Sequence, residues 1–593
     1  MYNLLKRHFG YEKFRPNQEE IINAVLSGQD VFASLPTGGG KSLCYQLPAL
    51  KFEGLTVVIS PLIALMKDQV DEVQSKGIPA AFLNSSLESG EVAEIYSRLY
   101  RKEIKLLYLS PERLAVEGYL ERLGELNVSF FAVDEAHCLS EWGHDFRPDY
   151  LILSKIRETF PGVPLAAFTA TATHKVQDDI VRILNLNNPF LVRASFDRKE
   201  LYYQVRPKKS VLTQIEAYVK AHPGESGIVY RTSRKDVEKT ASHLRDQGLK
   251  ALPYHAGLTK ERRTEYQELF NRDEVDVMVA TTAFGMGINK TNIRYVLHGD
   301  LPKSMEAYYQ ETGRAGRDGM DSDCLLFFSS GDMARQKYFI DQLESPEERK
   351  KSLDNLNYLV RFAQVNQCRR KQILAFFGEE LKENCGNCDV CKDTRERVSA
   401  TVDAQKILSA VIRTGESFGA THIIDIVRGA DTEKIRSRNH QNIKTYGVGK
   451  DKSKLWWRGI VDELIGQERI FQDGDHYNVL KLTEAGRKVL FGEEDFFISD
   501  TTAAREEKPR KNTLLPNLEP VDEELLKKLK EKRTELAREN NVPPYIVFSD
   551  KTLNAMAAVK PETSGEMLDV SGVGEKKLEL YGSAFLAVIR DSV

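Results

Sequence analysis

No uninterrupted apolar run of about 18 residues occurs in this 593-residue chain, so no membrane-spanning helix is expected. The N-terminus, Met1-Tyr2-Asn3-Leu4-Leu5-Lys6-Arg7, lacks the apolar core of a secretory signal, which predicts an intracellular protein. An excess of either charge is also missing. Lys and Arg number 84 against 87 Asp and Glu, a net charge of -3. Any grip on nucleic acid must therefore come from local patches rather than a global field. Cysteine is scarce and odd in number, seven in all, and four of the seven cluster. In a reducing compartment such a cluster points to metal before disulfide. No short-period repeat is present. What remains, 41% hydrophobic and 29% charged residues, is a globular composition. The length exceeds one core and predicts about three to five domains.

The chemistry is concentrated in two motifs. Thr37-Gly38-Gly39-Gly40-Lys41-Ser42 is a Gly-rich turn whose backbone amides can approach phosphate oxygens. Lys41 suits the β- and γ-phosphates and Ser42 a magnesium ion. The strict phosphate-loop pattern asks for Gly where Leu35 stands, so this is the Pro-Thr-Gly-x-Gly-Lys-Ser variant usual in helicases. About a hundred residues on lies Asp134-Glu135-Ala136-His137. Asp134 is expected to hold magnesium through water and Glu135 to polarise the attacking water. His137 and the run Thr169-Ala170-Thr171-Ala172-Thr173 offer hydrogen bonds linking the γ-phosphate to domain contacts. Val57-Val58-Ile59, Phe130-Phe131-Ala132-Val133 and Leu165-Ala166-Ala167-Phe168 read as buried parallel strands. Both motifs then sit at strand ends, where open α/β sheets bind ligands. The first reading is a nucleoside triphosphatase.

A third piece is remote in sequence. Gln310-Glu311-Thr312-Gly313-Arg314-Ala315-Gly316-Arg317 reads as a helical segment with Arg314 and Arg317 on one face. From a second α/β domain, with strands at 227–230, 275–280 and 295–298, these side chains can act as arginine fingers across a cleft. A surface ion-pair helix is the plainer alternative.

These motifs together closely resemble the RecQ family of superfamily 2 DNA helicases, over almost the whole chain. Gly10-Tyr11 with Phe14-Arg15-Pro16-Asn17-Gln18 is similar to the family's adenine-reading motif; the resemblance implies that Tyr11 stacks on the base while Arg15 and Gln18 contact it. Segments 60–69, 110–113 and 281–289 match its strand-tracking and coupling motifs. The loop Cys138 to Pro148 resembles the family's aromatic-rich loop and argues against RNA-acting relatives. In it Trp142 and Phe146 can stack on bases, at roughly 1–3 kcal/mol per base, and Arg147 can reach a phosphate or the nucleotide. Core packing is the alternative for the two aromatics. Arg231-Thr232 and Glu200 depart from the family's pattern, Glu200 replacing a common Asn.

The resemblance implies a multidomain α/β protein. Two RecA-like parallel-sheet domains, 1–195 and 196–340, enclose an ATP cleft. A zinc-binding helical subdomain (341–400), a winged helix (401–497), a linker (498–518) and a small all-helical C-terminal module (519–593), similar to the helicase-and-RNaseD C-terminal (HRDC) domain, follow. The activity implied is ATP-driven unwinding with 3′-to-5′ translocation, in recombination, repair and replication-fork maintenance. A duplex translocase that hydrolyses ATP without separating strands is the alternative, and an inactive annealing protein a further one. Expected partners are single-stranded and duplex DNA, with single-stranded-DNA-binding protein as a candidate. A monomer with ATP, magnesium and zinc, cytoplasmic and associated with the nucleoid, completes the expectation.

Cys368, Cys385, Cys388 and Cys391, spaced C-x16-C-x2-C-x2-C, describe a closed four-sulfur site for structural zinc, with an iron–sulfur cluster as the alternative. In the winged helix, Arg436, Arg438, His440, Lys444, Lys450, Lys452 and Lys454 form a basic stretch suited to duplex phosphates or to a solvated face. An Asp473-Gly474 hairpin carries His476 at its tip as a wedge against a duplex end. In the tail, Gly572 and Gly574 read either as amides for a phosphate near Lys576 and Lys577 or as a helix-joining turn.

Overall fold

The apolar runs form strands covered on both faces, and each lobe is built round one parallel sheet. The computed structural model describes the chain except residues 62, 85–86, 141–146, 286–289, 395–396, 474–478, 500–521 and 593. In the first lobe the strands are β1 (Val31–Ser34), β2 (Leu55–Ile59), β3 (Ala80–Leu83), β4 (Leu106–Leu109), β5 (Val128–Val133), β6 (Leu165–Thr169) and β7 (Phe190–Arg193). They lie in the order β3-β4-β2-β5-β6-β1-β7. Every paired neighbour is parallel, as in Val31 opposite Ala166 and Val57 opposite Phe131. Parallel strands need crossover helices, which cover both faces and explain why the strands read as unbroken apolar runs. Two apolar clusters, one centred on Phe131 and one on Phe130, fill the two sides.

The second lobe repeats the plan with β8 (Leu201–Pro207), β9 (Ser226–Tyr230), β10 (Ala251–Tyr254), β11 (Val277–Ala280), β12 (Ile293–His298) and β13 (Ser322–Phe328). The order is β10-β11-β9-β12-β13-β8. Its core continues without a break into the helices Pro346–Gln364 and Arg369–Phe376 and the cysteine cluster: Phe362, Cys368, Phe377 and Cys388 share one apolar cluster with Tyr203 and Tyr308. The cysteine-rich segment is therefore built onto the second lobe.

Helices Thr401–Arg413, Ala420–Val427 and Lys454–Gly466 surround a separate core with Trp457 fully buried at its centre. The wing is the antiparallel pair β14 (Ile470–Asp473) and β15 (Val479–Leu482), as the hairpin signal predicts; its tip, including His476, lies outside the described residues.

The tail has its own core, centred on Leu529, Phe548 and Phe585. It does not stand apart, however. It docks on both lobes. On the first lobe the Gly572 amide donates to the Gly10 carbonyl at 2.9 Å, and Lys6–Asp569 and Arg7–Glu575 pair at 3.0 and 3.1 Å. On the second, Arg272 donates to Asn541 at 2.8 Å, and Asp550 lies 3.8 Å from Arg294. Sequence patterns register a module's own core, not a contact made across more than 500 residues of chain.

Candidate active site and metal centre

Strand β1 ends at Ser34 and the phosphate turn follows before the helix Leu43–Ala49. Asp134 and Glu135 follow β5 directly. Only β6 separates the two strands, so the turn and the carboxylates open into one crevice. A cavity of about 360 Å³ lies there between the lobes. From the first lobe it takes Tyr11, Arg15, Gln18, Thr37, Gly38, Gly40, Lys41, Ser42, Asp134 and Glu135; from the second, Arg314 and Arg317. Tyr11 and Arg317, 306 residues apart in sequence, thus share one space.

The turn is shaped by its glycines and held by the upstream motif. Gly38 and Gly40 adopt φ of +80° and +82°, the left-handed region that side chains resist. A Cβ on Gly40 would lie 2.3 Å from Gln18 Nε2. Gln18 donates to the carbonyls of Gly39 and Gly40 at 3.3 and 3.2 Å, and Arg15 donates to that of Gly38. In this structure Arg15 and Gln18 therefore brace the phosphate turn; Tyr11 is 43% exposed at the cavity rim.

The acidic pair is electrostatically loaded. Glu135 stands at φ +48°, a left-handed conformation for a non-glycine residue, with its amide donating to Asp134 Oδ1 at 3.0 Å. Such strain costs of order 1–3 kcal/mol and collects at functional sites. Burial and the adjacent Glu135 carboxylate push Asp134 up to about 6. His137 Nδ1 lies 3.0 Å from Thr169 Oγ1. Burial, with Lys41 and Arg147 near by, lowers its imidazole to about 3, so it is neutral at pH 7.

Arg314 and Arg317 do reach the cleft, but not from a helix. The helix Met305–Thr312 ends before them, and Gly316 at φ +63° turns the chain. The flanking glycines make a loop where the three-residue spacing suggested a helical face. Burial and the neighbouring Arg314 and Arg198 lower Arg317 to about 9. Cations crowded against Lys41 and a carboxylate pair suit a bound polyanion with its metal.

Trp142 and Phe146 lie outside the described residues. Arg147 donates to the Pro61 carbonyl at 3.1 Å. Lys444 is exposed. Within the basic stretch Lys452 pairs with Asp403 at 2.5 Å and Lys454 with Asp425 at 3.0 Å, so part of it serves the winged-helix fold. The Gly572 amide is engaged by Gly10, a docking role in this structure. Sequence reading missed Arg198, Lys551 and Ser571. The last two, from the tail, line the nucleotide cavity. Arg198 sits in the charged run Asp197 to Glu200, which carries no signal of burial. The atypical Arg231 is buried and pairs with Asp300 at 2.8 Å.

The ligand atoms of Cys368, Cys385, Cys388 and Cys391 all lie within 4.8 Å of one another. Cys385 and Cys391 sulfurs are 3.8 Å apart, the edge of a tetrahedron with Zn–S bonds of about 2.3 Å. The amides of Asn387 and Cys391 point at the sulfurs of Cys385 and Cys388 at 3.3 and 3.4 Å, which favours thiolates. The donor set fits zinc. Cys44, Cys138 and Cys324 are buried and form no disulfide.

Paired parallel-sheet lobes with a phosphate turn on one and arginines on the other define a nucleotide-driven motor. Family models agree in succession: DEAD/DEAH box helicase at residues 15–180, helicase conserved C-terminal domain at 208–319, RecQ zinc-binding at 330–392, RQC domain at 394–507 and HRDC domain at 522–589. The chain is 44% identical over 591 residues to the ATP-dependent DNA helicase RecQ of Haemophilus influenzae, covering 99% of this chain and 95% of that protein. It is 41% identical to the Bacillus subtilis protein of the same name (99% and 98%) and 37% identical to the RecQ-like DNA helicase BLM of Xenopus laevis (100% and 46%). The chain belongs to the RecQ family of ATP-dependent DNA helicases.

Proposed function

We infer that ATP hydrolysis in the interlobe cleft drives the unwinding of duplex DNA. The observation that carries this is the single cavity joining Lys41, Asp134 and Glu135 to Arg314 and Arg317. Lys41 holds the β- and γ-phosphates. Glu135 accepts a proton from the attacking water. Arg314 and Arg317 stabilise the charge that develops on the transferred phosphoryl group, so hydrolysis requires the lobes to close. Ser42 and Asp134 would hold a magnesium ion, which would neutralise phosphate charge when bound; both line the cavity beside Lys41. Tyr11 stacks on the base.

Movement proceeds 3′ to 5′ on one strand, with Trp142, Phe146 and Arg147 sensing that strand next to the acidic motif. Lys444 and His476 meet the duplex. The cellular setting is recombination, repair and fork maintenance, in the cytoplasm at the nucleoid. The protein acts as a monomer, with single-stranded-DNA-binding protein as a partner. No helix among the described residues is long and apolar enough to cross a membrane.

Two assays on the purified chain test the reading. Hydrolysis is measured with and without single-stranded DNA, and strand displacement is followed on a forked duplex with a 3′ tail. Stimulated hydrolysis with displacement is expected. Stimulated hydrolysis without displacement would instead establish a duplex translocase.

A further inference from the structure

Besides Arg15, Arg314 and Arg317, a further arginine, Arg198, meets the phosphate turn, and it is not among the residues lining the cavity. Arg198 lies between the lobes in sequence, just before β8, and is 6% exposed. Its Nη1 donates to the carbonyls of Thr37 and Gly313 at 2.5 and 3.3 Å. Its Nη2 donates to those of Ala315 and Gly316 at 2.9 and 3.3 Å. Its Nε donates to Glu200 Oε1 at 2.5 Å. A guanidinium has five N–H groups, and each has an acceptor here. None is left for a phosphate.

The acceptors belong to both halves of the site. Thr37 opens the phosphate turn of the first lobe; Gly313, Ala315 and Gly316 form the loop that carries Arg314 and Arg317. The fit is close, since a Cβ on Gly313 would lie 3.4 Å from the Thr37 Cβ and one on Gly38 3.5 Å from the Arg317 Cα. Glu200 balances the charge of Arg198 and keeps it from competing with Arg314 and Arg317 for an anion. The segment is anchored from behind: Arg370, two residues past Cys368, donates to the Arg198 and Leu201 carbonyls at 3.2 and 2.8 Å and pairs with Asp197 at 3.2 Å.

We propose that Arg198, held by Glu200, is a positioning residue for hydrolysis, riveting the phosphate turn to the arginine loop and so setting where Arg314 and Arg317 stand. The inference rests on the cleft being the site of ATP hydrolysis. A lysine cannot replace it, because one ammonium cannot span four carbonyls. Misplacing catalytic groups by about 1 Å costs up to about a hundredfold in rate without touching the ligand.

The test uses the full chain with Arg198→Lys, Arg198→Ala, Glu200→Gln and Glu200→Ala. Steady-state hydrolysis at saturating single-stranded DNA gives kcat and KM, and a fluorescent ATP analogue gives Kd. Zinc content and thermal melting report folding. Both Arg198 variants should lose about tenfold to a hundredfold in kcat with Kd held within about threefold of the parent. Glu200→Gln, which keeps the acceptor, should lose less than Glu200→Ala. Should Arg198→Ala lose zinc or cooperative melting, Arg198→Lys is judged by the same criterion. A parent without DNA-stimulated hydrolysis would defeat the assignment of the cleft itself. An active parent with Arg198 variants of equal kcat, or with Kd rising in step as kcat falls, would overturn the positioning role alone.

Discussion

The amide of Gly572 donates to the carbonyl of Gly10 at 2.9 Å, joining the tail to the residue next to Tyr11 at the rim of the nucleotide cavity. A residue in the last third of the tail thus bonds directly to the segment that frames the base site. With Lys551 and Ser571 on the cavity wall, the docked module narrows the way in and out.

Undocking should therefore speed nucleotide release. Gly574 has φ of -94°, so a side chain adds no backbone strain there, yet a Cβ would lie 2.9 Å from the Arg7 carbonyl. Gly574→Val and truncation before residue 522 should both retain hydrolysis and raise the dissociation rate of a fluorescent nucleotide in stopped flow. Equal dissociation rates in parent and variants would show that the module does not gate the cleft.

Glu135→Gln should bind nucleotide nearly as the parent does and turn over at least about a hundredfold more slowly, because the carboxylate acts on water and adds little to ground-state affinity. Lys41→Ala should also weaken binding, by roughly ten- to a hundredfold for a lost charge-assisted contact. Parental turnover in Glu135→Gln would refute the assigned base.

Acid should slow the enzyme before it unfolds it. Asp134, pushed up to about 6 by burial and by Glu135, must be ionised to hold a cation. With magnesium well below saturation, the rate should fall about tenfold per pH unit below 6. The sign for stability is opposite. A carboxyl whose folded value is raised above about 3.9 opposes folding once ionised, so the nucleotide-free protein should be relieved of that penalty as pH drops from about 6 to about 4. Asp550 behaves the other way: although burial works against its charge, Arg533 and Arg294 hold it at about 2. Its contribution is present above pH 4 and is lost toward pH 2. Rate profiles across pH 4–8 and melting curves across pH 2–8 check both signs.

Cys388→Ser should lower bound zinc from about one per chain and destabilise the second lobe as well as the cysteine segment, since Cys388 lies in the same apolar cluster as Tyr203 and Phe362. Elemental analysis with two-probe melting tests this; finding iron would contradict the zinc assignment.

Much of this molecule was legible residue by residue. Unbroken apolar runs mark strands buried on both faces because such strands have no solvent side. The phosphate turn, the acidic pair and the cysteine spacing are short, local patterns whose chemistry demands those residue types. The hairpin of β14 and β15 follows from a local sequence pattern in the same way. Geometry across long separations was not legible. Arg314 and Arg317 lie in a loop because Gly313 and Gly316 end the helix, which spacing alone did not reveal. That Arg15 and Gln18 grip the carbonyls of the phosphate turn some 20 residues on, and that Arg198 meets five acceptors and the tail closes on Gly10 across hundreds of residues, depend on the path of the chain in space. Local preference determined which elements form and which carry chemistry. Only the packing of the lobes decided which charges face one another, because Coulomb and hydrogen-bond energies depend on distance in space and not on position in the chain.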